Sequence, residues 1–174
     1  LMQGILDGTA KPVSKNSSFD SDRKSWTVGK AASGALSWSR ADGHMAPGAL
    51  MFEGPGEIAI EQTIEVGQMR GVYTALGFVK VTGEAGADGM VELVLAAGDT
   101  RKKDYVVNEW LGTKDWQVAS PKPLRDAWTP VAVTIDLSKL DPVSTRESLG
   151  VRLSLKGFGR GSRVFVDDLA VYAH

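Results

Sequence analysis

The sequence predicts an all-β domain, an antiparallel β-sandwich of the jelly-roll kind. Three observations carry that expectation. Apolar residues recur with a period of two rather than 3.6, and no segment sustains a helical stripe. The alternating runs are short and are separated by Gly, Asp and Pro clusters such as "ADGHMAPG", "TGEAGADG" and "ASPKPLRD". They follow one another at spacings of roughly ten residues, the cadence of sandwiches.

The strands are justified in order. "GALSWS" and "GALMF" are short runs bounded by turn residues. "EIAIEQTIEV" places Ile58, Ile60, Ile64 and Val66 on one face and Glu57, Glu61 and Glu65 on the other, as in a half-buried strand. "VYTALGFVKV" and "MVELVLA" are apolar on both faces, as central strands are. "DWQVA" is a further short run. "VAVTIDL" alternates Val131, Val133, Ile135 and Leu137 with Thr134 and Asp136. "LGVRLSL" sets Leu149, Val151, Leu153 and Leu155 against Arg152 and Ser154, and "GFGRG" then reads as a hairpin connection. The last strand, "RVFVDDLAVYAH", contains two adjacent acids. Strict alternation puts Asp167 with Phe165, Leu169 and Val171, and Asp168 with Val164 and Val166. One acid therefore faces the expected core, where an ionised carboxylate needs donors, a counter-ion or a metal. A hard cation such as calcium, held by oxygens from distant segments, suits Asp167 with an acid of "NSSFDSD"; a cap of backbone N–H groups is the alternative.

Composition bounds the function. The chain has 174 residues, a formal net charge of −1, 20 Gly, 7 Pro and no Cys, which fits one domain: residues 1–15 as an extension or first strand and 16–174 as the jelly roll. Near-neutral charge without a basic block argues against nucleic acid, and no apolar stretch reaches the ~20 residues that span a bilayer. Disulfides and thiolate chemistry are excluded. His44, in a Gly/Pro loop, reads as a surface residue, and with terminal His174 it leaves no local Ser-His-Asp or His-rich metal set. Asp167 and Asp168, as strand neighbours, point apart and cannot flank a glycosidic bond. The chain is therefore expected to be no enzyme.

Taken in order, "NSSFDSDRKSW", "APGALMF", "IEQTIEVGQMRGVYTALGFVKVTG", "AWTPVAVTIDL" and "VFVDDLAVY" resemble the segments of bacterial carbohydrate-binding modules of the CenC-like group, which have a galactose-binding-like jelly roll. The resemblance covers nearly the whole chain. It implies a structural calcium held by Asp20, Asp167 and backbone carbonyls such as that of Ser18. Asp20 stands where the family has Glu, one methylene longer, so a bridging water becomes an alternative to direct ligation. The resemblance also implies an oligo- or polysaccharide partner for a secreted or cell-surface, monomeric module within a larger glycan-degrading or cell-surface protein. A glycan-free spacer or adhesive domain, or a small lyase or glycosidase, are the competing readings.

Sugar C–H faces stack on aromatic rings while polar side chains read hydroxyls. Trp26, Trp38 and Trp128 read as core. Trp110 and Trp116 lie in a stretch longer than the family pattern requires, beside Tyr105, Asn108, Glu109 and Asp115. The expected glycan contacts are Trp110, Trp116, Tyr105, Glu109 and Asp115, with outward-facing Arg152 as a weaker candidate. Trp116 has an equal reading as a strand residue packed with Val118.

Overall fold

The structure, a computed structural model, describes residues 2–6, 9–19, 24–29, 35–65, 71–83, 89–98, 116–123, 125–138 and 148–174. In chain order the elements are α1 (Met2–Leu6), β1 (Thr27–Val28), β2 (Ala35–Ser39), β3 (Ala49–Glu53), β4 (Gly56–Glu65), β5 (Val72–Gly83), β6 (Met90–Gly98), β7 (Trp116–Ala119), β8 (Thr129–Asp136), β9 (Ser148–Phe158) and β10 (Ser162–Ala173). They build two five-stranded sheets, here sheet I (β1-β4-β9-β6-β7) and sheet II (β2-β3-β10-β5-β8). Every strand pairing is antiparallel. The architecture is the expected antiparallel β-sandwich.

The core lies between the sheets and is made by the period-two positions. Ile58, Ile60 and Ile64 of β4, Leu93 and Leu95 of β6 and Leu149, Val151, Leu153 and Leu155 of β9 meet Leu50 and Phe52 of β3, Val79 and Val81 of β5 and Val131, Val133 and Ile135 of β8. Strand β8 shows the alternation most plainly, each buried valine or isoleucine being followed by an exposed residue. No helix among the described residues is long and apolar enough to cross a membrane.

Three local features differ from or refine the expectations. Of the two readings for residues 1–15, an extension or a first strand, the described residues 2–6 and 9–15 fit the extension. They contain α1 and a bridge from Pro12 to Tyr172, reinforced by the Val13 N–H donating to the Val171 carbonyl at 2.7 Å and the Val171 N–H to Ser14 Oγ at 2.9 Å. Second, "GFGRG" is not a hairpin. It carries the chain from β9 in sheet I to β10 in sheet II, and the path is tight: a Cβ on Gly83 (φ 100°) would lie 2.1 Å from the Gly161 carbonyl oxygen. Third, β1 was not expected, since two residues are too few to display a period.

One core-facing position of β4 is polar. Gln62, between Ile60 and Ile64, is buried, and its amide behaves as a strand edge toward the N-terminal segment. Its Oε1 accepts the Lys15 N–H at 2.8 Å, and its Nε2 donates to the Lys15 carbonyl at 2.9 Å and to the Ser25 carbonyl at 3.3 Å. The motif that opens the family resemblance is anchored beside it. Asn16 takes a left-handed conformation (φ 49°), which Asn tolerates, and its carbonyl accepts the indole N–H of buried Trp26 at 2.9 Å.

Candidate functional site

The paired acids sit where β10 changes neighbours. On one edge β10 runs beside β5 throughout; on the other it pairs with β3 only over Arg163–Val166, and residue 12 bridges to Tyr172 beyond. Between these two partners the ladder slips by one residue, with Asp167 opposite Phe78 and Ala170 opposite Leu76. Asp168 absorbs the extra residue with φ 48°. This bulge breaks the strict alternation. Val164 and Val166 before it, and Leu169 and Val171 after it, all reach the core, while Asp167 stays with Phe165 on the outer side. The expectation that Asp167 shares the core face with Leu169 and Val171 is thereby corrected.

Asp167 is nonetheless only 1% exposed. Its Oδ2 accepts the His44 backbone N–H at 2.7 Å and its Oδ1 accepts the Asp168 N–H at 2.8 Å. Burial pushes its carboxyl up to about 6; the N–H of His44 opposes that rise, and the charge of Asp168 adds to it. His44 is not the free surface residue expected. Its Nδ1 lies 2.8 Å from Asp168 Oδ2, and because a carboxylate only accepts, Nδ1 carries the proton. The imidazole stacks on Phe78 at 3.7 Å between centroids and meets Trp128 edge-on at 5.7 Å. Trp128 is therefore not a core residue: it is half-buried on the outer side, with Lys80 Nζ 5.0 Å from its ring centroid.

Beside this cluster a cleft of about 410 Å³ lies against the outer face of sheet II. Its floor is Leu76, Phe78, Ala170 and Tyr172; one wall is Ser14, Asn16, Ser17 and Ser18, and the other is His44, Met45 and Asp168. The N-terminal segment, the 42–48 loop and the last strand thus converge there. Local sequence gives no hint of this, because His44 and Asp168 are 124 residues apart.

Sheet I presents a different surface. Arg152 points away from the core, as the alternation requires, yet it is 9% exposed rather than solvated, and its Nε donates to Glu61 Oε1 at 2.9 Å on the adjoining strand. Burial pushes the Glu61 carboxyl up against the lowering influence of Arg152. Ser148, Ser154, Val94 and Ala96, which also face away from the core, are buried too. The outer face of sheet I is thus a withdrawn floor carrying a charged pair, unlike the water-facing side of β8. The ladder brings the sequence candidates to the same sheet. Arg152 is opposite Val94, and the backbone of Trp116 is opposite Ala96, two residues along β6. Val118, the residue proposed to pack with Trp116, is 44% exposed. Tyr105, Glu109, Trp110 and Asp115 lie outside the described residues; the chain departs for them from the end of β6 and returns at β7.

For calcium, Asp20 also lies outside the described residues, and among the described ones no three His, Asp or Glu side chains group to hold a metal. What fits a hard cation is Asp167 itself. It is buried, it forms no ion pair with Lys or Arg among the described residues, and each oxygen keeps a lone pair beyond its one N–H. Ser18 lines the cleft that Asp168 also lines.

No family model and no curated protein matches the chain. Solved structures do. The module TmCBM61 in complex with β-1,4-galactotriose aligns with TM-score 0.63 at 19% identity, over 95% of this chain and 100% of that one. An apo-form cyclase from Fischerella sp. aligns with TM-score 0.60 at 14% identity, over 96% and 98%. The CBM22-1–GH10 modules of the Clostridium thermocellum xylanase 10B, complexed with xylohexaose, align with TM-score 0.57 at 14% identity, over 90% of this chain and 27% of that one. The fold is therefore shared with carbohydrate-binding modules and with an enzyme.

Two outcomes follow from the buried acids. In metal-free buffer, burial lets Asp167 hold a proton in the folded state up to about pH 6, against 3.8 for an ordinary aspartate. Its contribution to stability is complete below that lower value and is lost as pH rises through the upper one, a change of about 3 kcal/mol. Urea unfolding between pH 4 and 6.5 should therefore show a fall in stability that is flatter in Asp167→Asn; identical slopes would reject the buried, protonated state. In sheet I, Arg152→Ala strands a buried Glu61 and should cost about 3–5 kcal/mol, whereas the double change Glu61→Leu with Arg152→Met should recover most of it. A single-variant loss below about 1 kcal/mol would mean the pair is solvated.

Proposed function

We propose that this chain is a non-catalytic carbohydrate-binding module whose main glycan site lies on the outer face of sheet I, bordered by the insertion that joins β6 to β7. The observation that carries the reading is the buried Glu61–Arg152 pair on that face. A charged residue on a solvated sheet face needs no function, but this face is not solvated, and a buried ion pair adds little stability over apolar residues of similar size. The fixed carboxylate–guanidinium pair lies beneath the site and gives the strands that carry it a rigid base, leaving the hydroxyls to be read by the insertion. The insertion supplies Trp110 and Trp116 as stacking platforms and Tyr105, Glu109 and Asp115 as orienting groups. Support of a general kind comes from the fold: TmCBM61 was solved with galactotriose and the xylanase modules with xylohexaose.

The same proposal places the module, as a monomer, in a secreted or cell-surface protein that is larger than this chain. The xylanase neighbour, of which the matched part is 27%, joins a CBM22-1 module to a GH10 module in one chain. It also includes a structural calcium held by Asp167, Asp20 and the Ser18 carbonyl, which would neutralise the buried carboxylate.

Retention on insoluble polysaccharides tests the glycan site. Trp110→Ala or Trp116→Ala should weaken retention by about thirtyfold, the equivalent of ~2 kcal/mol, at an unchanged melting temperature. Unchanged retention would return the insertion to a structural role, absence of retention on any polysaccharide would favour a spacer domain, and product release abolished by a point substitution would make the chain an enzyme. Calcium is tested by melting with and without chelator. A hundredfold excess of metal over Kd adds about 2.7 kcal/mol, so chelator should lower the melting temperature of the wild type but not of Asp167→Ala. Equal melting curves with no metal found by elemental analysis would reject the site.

A further inference from the structure

We propose that the cleft on the outer face of sheet II is a second sugar site, selective for short neutral saccharides over acidic ones. This rests on the reading of the chain as a glycan binder and assigns that function a further place, on the opposite side of the sandwich from the Glu61–Arg152 floor. A volume of about 410 Å³ lies within the range of small-molecule sites. The floor is what a pyranose face requires. Tyr172 lies at one end of a recessed apolar strip made by Leu76 and Ala170, which are directly paired across β5 and β10, and at the other end the ring of Phe78 is capped by the His44 imidazole.

The rim is polar and held in position. Ser14 Oγ is fixed by the Val171 N–H and lies 3.0 Å from Ser17 Oγ, and Asn16 Nδ2 is tied to the Lys24 carbonyl at 2.7 Å. Facing them, Asp168 holds His44 at 2.8 Å, and His44 in turn rests on Phe78. Hydroxyls, an amide, a carboxylate and an imidazole converge on one apolar strip, which is the composition that recognises a neutral polyol. Charge sets the selectivity. The acidic group of the described lining is Asp168, and no Lys or Arg is among the described lining residues, so in calcium-free protein a uronate would meet a carboxylate that no Lys or Arg of that lining offsets.

Met45 is 73% exposed and lines the cleft, so its methyl group is a reporter that requires no change to the floor. Protein carrying [methyl-¹³C]methionine, with the signal assigned through Met45→Leu, is titrated with lactose, cellobiose and digalacturonate while polysaccharide retention is measured on the same sample. At least one neutral disaccharide should move the Met45 methyl saturably and digalacturonate should not. Trp110→Ala and Trp116→Ala should leave that response intact, and Tyr172→Ala should weaken it by about tenfold or more. Asp168→Asn, which keeps a residue tolerant of positive φ, should admit the acidic disaccharide. Retention on polysaccharide with a Met45 methyl that is silent to both neutral disaccharides would overturn the second site alone. Loss of both would overturn the glycan reading with it, and equal binding of digalacturonate by the wild type would overturn the selectivity. The wild-type titration decides these outcomes even if Tyr172→Ala does not fold.

Discussion

Strand β10 has to serve two partners along one edge. Its first half needs β3 and its second half needs the N-terminal segment, and the two do not meet end to end. The bulge at Asp167–Leu169 reconciles them: it restores the core face after the junction and turns two acids outward at the gap between the partners. Backbone N–H groups must then come from elsewhere, and the 42–48 loop supplies one through His44. Had the ladder continued without the extra residue, Leu169 and Val171 would face water. The position of the loop, the seating of the N-terminal segment and the cleft between them all depend on that single inserted residue.

Much of this was legible. Alternation over 57–65, 131–137 and 149–155 marks three strands and their core-facing sides, because one apolar face along an extended chain leaves no other period. Gln62 was visible only as a motif letter; its use as an edge for Lys15 depends on a residue 47 positions away. Arg152 shows the limit most sharply. Period two says correctly that it points away from the core, but outward is not the same as wet, and whether a face meets water is decided by the rest of the molecule. The bulge was illegible for a related reason: adjacent acids read the same whether the strand alternates through them or slips between them. The surroundings of Trp128 and His44 come from Phe78, Lys80 and Asp168, none of them a neighbour in sequence.

The two faces of the sandwich solve the problem of polar groups differently. On sheet I, charge is buried against its opposite, Glu61 with Arg152 on adjoining strands. On sheet II, the buried carboxylate of Asp167 is met by main-chain donors, and its charged neighbours stand one step further out. The first arrangement fixes two side chains with little freedom. The second ties a loop to a strand, so its integrity depends on the backbone of residues 42–48 rather than on any one side chain.

The central strands of both sheets, β9 and β10, are the last two in the chain and follow directly on one another. Until they are present, β4 has no neighbour to separate it from β6, and β3 none to join it to β5. What precedes residue 148 can form local pairs, β2 with β3, β5 with β8 or β6 with β7, but no closed sandwich. A ribosome making this domain therefore releases a chain whose apolar faces stay uncovered until the closing segment emerges, and assembly must occur late and in one cooperative step, with most contacts spanning long stretches of sequence.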